Sequence, residues 1–166
     1  MDYNLEGKLA FITGSTKGIG KATAALLLRE GAEVIIHGRT RDSVERAKKD
    51  LPSAHAVYGD LHNKAAVEKI IEDVKNVGTV QILVNNAGIY EAKAFQDITD
   101  EDWLRFFEVN VMSGVRFSRA LLPPMLLLNR ADIFDILDDL FHRSLLVKIA
   151  VNGMRGGQVF FGALDG

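Results

Sequence analysis

Gly14-Ser15-Thr16-Lys17-Gly18-Ile19-Gly20 stands between a short apolar run, Lys8–Thr13, and a stretch in which Ile19, Ala22, Leu26 and Leu27 follow helical spacing. A strand, a glycine-spaced turn and a helix in that order suit an anion. The glycines let the backbone turn tightly and come close to a pyrophosphate, and the helix start offers unpaired N–H groups and a partial positive charge. A glycine turn alone is equally a tight turn with no ligand; its place between strand and helix is what favours nucleotide binding. The P-loop pattern fails by count. Ser15 stands where its first glycine belongs ahead of Gly20-Lys21, and Ala22 stands where Ser or Thr is required.

The corner after the next apolar run, Glu33–His37, carries the second chemical signal. A dinucleotide with a free 2′-hydroxyl is usually held there by a carboxylate. His37-Gly38-Arg39-Thr40 has none, and Lys17 stands in the glycine turn. Two cations converging on one site suit a 2′-phosphate, so NADP is expected in preference to NAD; solvated surface charge is the plain alternative for each. No metal site is expected. His37, His55, His62 and His142 lack ligand spacing, and Asp135, Asp138 and Asp139 lack the glycine and spacing of a calcium loop, reading better as a solvated helix face. With no cysteine, a disulfide framework, a thiolate metal site and a Cys nucleophile are excluded.

These residues need elements to hold them. Glu33–His37 reads as a second strand, apolar at its centre as buried parallel strands are. Thr40 is a candidate cap for a helix bearing Val44, Ala47 and Leu51 and halting at Pro52. Ala54–Tyr58 is a third strand, and Asn63 caps a helix with Val67, Ile70, Ile71 and Val74 as its stripe, closing near Gly78. Val80–Val84 is a fourth strand. Thr99, followed by Asp100, Glu101 and Asp102, starts a helix that runs through Trp103, Phe106, Phe107 and Val111 towards Leu121. Such alternation implies an α/β, doubly wound parallel sheet with right-handed crossovers, in the order 3-2-1-4. Beyond Leu128, Ile133, Phe134, Leu137, Leu140 and Phe141 keep helical spacing across Asn129–Arg143. Leu145–Val151 and Gln158–Phe161 are strand-like and separated by glycines, as a hairpin or as part of a βα unit.

Composition agrees with one ordinary domain. The 166 residues are 48% hydrophobic and 25% charged, and 20 Lys+Arg against 22 Asp+Glu leave a net charge of −2. That balance speaks against non-specific nucleic-acid or anionic-membrane binding. The longest uncharged apolar stretch, Ala120–Leu128, holds Pro123 and Pro124 and is far short of the ~20 residues of a membrane helix. Met1–Gly7 has no basic start before an apolar run, so a cytoplasmic protein without a signal peptide is expected.

The spacing Gly-x-x-x-Gly-x-Gly, with Asn85-Asn86-Ala87-Gly88 after the fourth strand, resembles the short-chain dehydrogenase/reductase family. Asp60-Leu61 after the third strand, Val109-Asn110-Val111 and the phrase Ala120-Leu121-Leu122-Pro123-Pro124-Met125 add to the likeness, which spans about residues 5–128. The resemblance implies a Rossmann-like NAD(P)-binding region over 1–128. In it Gly14, Ser15, Thr16, Lys17, Gly18, Ile19 and Gly20 hold the pyrophosphate end, and Arg39 stands at the 2′-phosphate. Asp60 and Leu61 lie against the adenine, with Asp60 accepting from its amino group. Asn86, Ala87 and Gly88 line the ribose and floor, and Asn85 ties neighbouring strands. Asn110 matches the family's active-site asparagine, which holds a water in a proton relay; a kinked, hydrogen-bonded helix position is its other reading. The family transfers a hydride between a nicotinamide and a carbonyl or alcohol, and the helix over 103–128 packs against a second subunit.

One departure bears on activity. The family's catalytic Tyr-x-x-x-Lys has no counterpart: four residues beyond Tyr3, Tyr58 and Tyr90 stand Gly7, His62 and Ala94. Ser144 precedes an apolar run where the family's serine ends one. Lys93 lies three residues after Tyr90, and Lys148 in the tail is supported by no spacing. Residues 129–166 therefore read as an atypical tail packed on the same domain, as a truncated, frameshifted, fused or redesigned segment would. The expectation is an NADP-dependent oxidoreductase by family, acting on a small carbonyl or alcohol and catalytically impaired in this chain. The alternative is a non-catalytic nucleotide-binding or subunit-interaction module.

Overall fold

The computed structural model describes residues 4–128 and 132–135. At its centre β1 (Leu9–Ile12) is buried along its length, because both faces of the sheet are covered. Successive side chains enter two cores. Leu9 and Phe11 join Ile35 and Leu83 on one face, while Ala10 and Ile12 join Val34, Ile36, Ile82 and Val84 on the other. The first face is closed by α3 (Lys64–Val77), through Val67, Ile70 and Val74, and by α5 (Ser113–Leu127), through Phe117, Leu121 and Met125. The second is closed by α1 (Gly18–Arg29) and α2 (Arg41–Lys48), whose small Ala24 and Ala47 let both helices lie close.

With β2 (Glu33–Gly38), β3 (His55–Tyr58), β4 (Ile82–Asn85) and β5 (Asp132–Asp135), the sheet runs β3-β2-β1-β4-β5, parallel throughout. The expected 3-2-1-4 order is present and gains a strand. That fifth strand corrects the helical reading at 132–135, Asp135 included, where the chain pairs with β4 in the register Ile82↔Asp132 to Asn85↔Asp135; the rest of Asn129–Arg143 lies outside the described residues. Periodicity cannot separate a short apolar run in a strand from one in a helix, and the open edge of β4 presents unpaired N–H and C=O groups that a parallel strand satisfies. Asp138, Asp139, His142, Ser144, Lys148 and the later apolar runs lie outside the described residues.

Capping follows the sequence. Thr40, Asn63 and Thr99 accept from the backbone N–H groups of Ser43, Ala66 and Asp102 at 3.3, 3.1 and 3.2 Å. The stripe of α1 does not. Its buried positions are Gly20 and Ala24, whereas Ile19 and Leu26 are 60% and 46% exposed. Backbone approach at Gly20, invisible to a hydrophobic count, sets that rotation. α4 (Asp100–Phe107) passes through a π-helical turn, Glu108–Met112, into α5, which carries Pro123 and Pro124 inside it rather than ending there. Phe107 is exposed, as are Trp103, Leu104 and Leu126 to Leu128; α4 buries none of its residues, and Phe106 is half-buried. Among the described residues no helix is long and apolar enough to cross a membrane.

Phe117 is fully buried and meets Phe11 edge to face at 5.2 Å between centroids. Phe117→Ala is expected to lower the unfolding free energy by about 3–5 kcal/mol. Urea denaturation of the two proteins checks this, and a loss below ~1 kcal/mol contradicts the packing described.

Candidate functional site

A cleft of about 1070 Å³ opens where the chain order reverses between β1 and β4. In open α/β sheets that switch point, outside the carboxyl ends of the strands, is where ligands bind. Its walls come from the turns that follow the first four strands: Gly14 to Gly20, Gly38 to Thr40, Gly59 to His62 and Asn86 to Ile89.

The glycines of the first turn have separate tasks. Gly14 (φ 63°) lies against Ala87, whose Cα would stand 2.9 Å from an added Cβ. At Gly20 a Cβ would meet Asn86 Nδ2 and, at 2.8 Å, Gly14 O, so the start of α1 packs on the backbone of its own turn and on the Asn86 side chain. Gly18 (φ 55°) has nothing within 4 Å of an added Cβ and needs glycine for its backbone angle alone. The β4 turn is pinned from below. Asn86 Nδ2 donates to Thr13 O at 2.9 Å and Gly14 O at 3.1 Å, while the N–H groups of Asn86 and Ala87 donate to Thr13 Oγ1 at 3.0 and 2.9 Å. Thr13 ends the first apolar run, and no spacing rule singles it out.

At the start of α1, Lys17 occupies the cap position and makes no side-chain cap, and the first turn holds no acid. The N–H groups of that turn and the positive end of the dipole are left for an anion. Lys17 and Arg39 both line the cleft, as does Arg46, which sequence reasoning did not single out. Among the described residues none of the three has an ion-pair partner, whereas Lys21 is held by Asp50 at 2.5 Å. Asp60 and Leu61 lie on the same cleft; Asp60 Oδ1 accepts from His62 N–H at 3.0 Å, which shapes its turn. Gly14, Thr16, Lys17, Gly18, Ile19, Gly20, Arg39, Asp60, Leu61, Asn86, Ala87 and Gly88 are thus brought together.

Two of the expected site residues sit elsewhere. Ser15 is fully buried beneath the turn, its Oγ donating to Ile12 O at 2.7 Å and accepting from His37 N–H at 2.9 Å. It braces the backbone. Asn110 lies in the π-helical turn behind the floor, where its Oδ1 accepts from Ile89 N–H at 2.8 Å and its Nδ2 donates to Ile89 O at 3.0 Å. That is the hydrogen-bonded helix irregularity of its second reading, and such π-bulges recur at functional sites. Asn85 donates to Ser118 Oγ at 3.3 Å, joining β4 to α5. Beyond Ile89, Lys93 binds Asp102 at 2.9 Å and Glu91 at 3.2 Å, and Arg105, on the cleft, binds Glu91 at 2.6 Å. Lys93 above all holds the Asp102 carboxyl down to about 2, and the two carboxylates hold Lys93 above its ordinary range. Lys93 is therefore committed to this network.

His37 is buried, and desolvation pushes its pKa down to about 4 against the opposing pull of Gly59 O and Asp60. The folded chain keeps the ring neutral, while the unfolded chain takes up a proton below about 6.5. Stability is then unaffected by this group above that pH and falls as pH drops from about 6.5 to 4, by roughly 3 kcal/mol in all. Urea denaturation at pH 7 and pH 5 is expected to show this loss in the native chain and to show less of it in His37→Asn; equal slopes would refute it.

Comparison with known proteins agrees with this architecture. The family model described as short chain dehydrogenase matches residues 8–136, which carries the likeness past Leu128 and through β5. The uncharacterized oxidoreductase YvrD of Bacillus subtilis is 48% identical over 139 residues, 82% of this chain and 53% of its own length. The NADP-dependent (R)-specific alcohol dehydrogenase of Lentilactobacillus kefiri is 38% identical over 73% of this chain and 49% of its own. The structure of L-sorbose reductase from Gluconobacter frateurii, complexed with NADPH and L-sorbose, superposes with a TM-score of 0.76 at 33% identity, covering 81% of this chain and 54% of that one. The chain spans about half the length of the curated relatives it matches. Glycine turn, parallel strand order, asparagine turn and family match coincide on the same residues, and the chain belongs to the short-chain dehydrogenase family.

Proposed function

We propose that this chain forms the dinucleotide-binding half of an oxidoreductase that takes NADP in preference to NAD and serves hydride transfer between the nicotinamide and a small carbonyl or alcohol. The observation that carries the cofactor choice is the pair Lys17 and Arg39, both on the cleft and without a carboxylate partner among the described residues. Two of the relatives it resembles are described with NADP or NADPH. The residues present fit such a group. Gly14 and Gly20 hold the turn where a Cβ would collide, and the N–H groups at the start of α1 face the cleft to take a pyrophosphate. Asp60 and Leu61 offer an acceptor and an apolar wall for the adenine, Asn86 to Gly88 form the floor, and Asn110 fixes Ile89 beside it.

When bound, the nicotinamide supplies or accepts the hydride. A carbonyl that gains one needs a proton, and general acid catalysis typically contributes about 10²–10⁴-fold. Tyr3, Tyr58 and Tyr90 lack the lysine four residues on, and Lys93 is spent on Asp102 and Glu91. These observations favour slow turnover by these 166 residues on their own, and they support the second reading, a nucleotide-binding module without catalysis.

Charge-assisted hydrogen bonds from Lys17 and Arg39 to a 2′-phosphate are expected to contribute about 1.5–3 kcal/mol each, or roughly 10- to 100-fold in affinity per contact. Arg39→Asp is expected to abolish or reverse the preference for NADP over NAD in a fluorescence titration; equal affinity of the native chain for both overturns the assignment. In steady-state NADPH oxidation over a panel of carbonyls, the chain is expected to stay well below about 1 per second. Faster turnover that Asn110→Ala abolishes would reveal an acid outside the residues considered.

A further inference from the structure

His37 is the place where three walls of the cleft are tied to one another. Its ring Nδ1 lies 3.1 Å from Gly14 N, and its Nε2 lies 3.0 Å from Gly59 O. The first contact fixes the second. A backbone N–H can only donate, so Nδ1 must be the bare acceptor nitrogen, and the proton of the neutral ring must sit on Nε2, where it donates to the Gly59 carbonyl. The backbone of His37 adds two more ties: His37 N–H donates to Ser15 Oγ at 2.9 Å, and Ser15 N–H donates to His37 O at 2.9 Å. Ser15 Oγ in turn donates to Ile12 O at 2.7 Å. One buried residue at the end of β2 thus joins the glycine turn after β1 to the Gly59-Asp60 corner after β3.

We propose that His37 is a positioning residue for nucleotide binding, its neutral Nε2–H ring setting the spacing between the glycine turn and the Gly59-Asp60 corner. The proposal rests on the dinucleotide reading above. Gly14 is the residue whose backbone must turn at φ 63° against Ala87, and Gly59 directly precedes Asp60, the acceptor offered to the adenine. Both points line the same cleft, and neither is bonded directly to the other. Main-chain bonds tie each flank to β2 separately, Ser15 N–H donating to His37 O at 2.9 Å and Gly59 N–H to Gly38 O at 3.0 Å, and the His37 ring adds a bridge that takes Gly14 and Gly59 together. A protonated ring could not accept from Gly14 N–H, so burial that keeps the ring neutral also keeps both contacts. Among the described residues the charged group acting on the ring is Asp60, whose field favours the proton and is outweighed by desolvation.

The side chain separates the two contacts experimentally. In His37→Asn the Oδ1 stands near the Nδ1 position and can accept from Gly14 N–H, while His37→Leu keeps bulk and removes both contacts. NADP⁺ affinity of the native chain and the two variants is measured by calorimetry, with melting curves confirming that each is folded. His37→Leu, which loses both contacts, is expected to weaken NADP⁺ about tenfold, and His37→Asn to recover most of that loss. Independently, the ring nitrogen resonances of native His37, identified by their absence from the His37→Asn spectrum, are expected to report the neutral Nε2–H tautomer near neutral pH. A folded His37→Leu that binds NADP⁺ as the native chain does, or an Nδ1–H or charged ring, overturns the proposal; should His37→Leu fail to fold, the tautomer and the His37→Asn affinity still decide it. If the native chain binds no NADP⁺, the dinucleotide reading itself fails, and this positioning role with it.

Discussion

The contact on which the site depends is a close approach of main chain: the turn leaving β1 rests on the backbone of the turn leaving β4 at Ala87, and the start of α1 rests on the Asn86 side chain and on the Gly14 carbonyl. No side chain can stand at Gly20, where a Cβ would meet Asn86 and the Gly14 carbonyl, or at Gly14, where it would meet Ala87. That closeness orients α1 so that its uncapped first turn looks into the cleft, and it explains why the buried side of α1 holds Gly20 and Ala24 instead of its larger apolar residues. Hydrophobic burial drives the assembly, but the distance at which it stops is set by what is missing from these two positions.

Around that contact the hydrogen bonds form two clasps of similar design. Thr13 and Asn86 lock the β1 and β4 turns, with every polar atom of the Asn86 amide nitrogen and of both turn N–H groups directed inward. His37, Ser15 and Gly59 lock the β1, β2 and β3 turns. Buried polar groups of this kind are costly unless satisfied and rigid when they are. The surface that faces the cleft is left with the groups a phosphate needs, namely free N–H donors and cations without carboxylate partners among the described residues.

The far side of the floor is organised by the irregularity in the helix. Five residues in π-helical geometry swing Asn110 so that its amide grips both backbone groups of Ile89. The loop beyond is held to α4 by the alternating charges of Glu91, Lys93, Asp102 and Arg105, which bring Arg105 to the edge of the cleft. These exposed pairs each contribute little to stability; they turn the Lys93 ammonium towards Glu91 and Asp102.

Much of the architecture was legible in the chain because it depends on local chemistry. Apolar runs of strand length, hydroxyl and amide caps at Thr40, Asn63 and Thr99, and glycines between strand and helix each act over a few residues, and their alternation leaves one topology with right-handed crossovers. The cleft-lining Gly14 and Thr16 to Gly20, with Arg39, Asp60 and Asn86 to Gly88, follow for the same reason, since each ends a strand or starts a helix. What only the tertiary structure decided depends on partners far apart in sequence. Residues 132–135 are a strand because the β4 edge was open to them, although their spacing suits a helix. Ser15 turned inward, and His37 became a neutral tie between Gly14 and Gly59, through contacts 22 or 23 residues apart in sequence that folding brings within hydrogen-bond reach. Side-chain type and spacing carry the local preferences; burial, register and the direction of a single imidazole proton exist only once the distant segments have met.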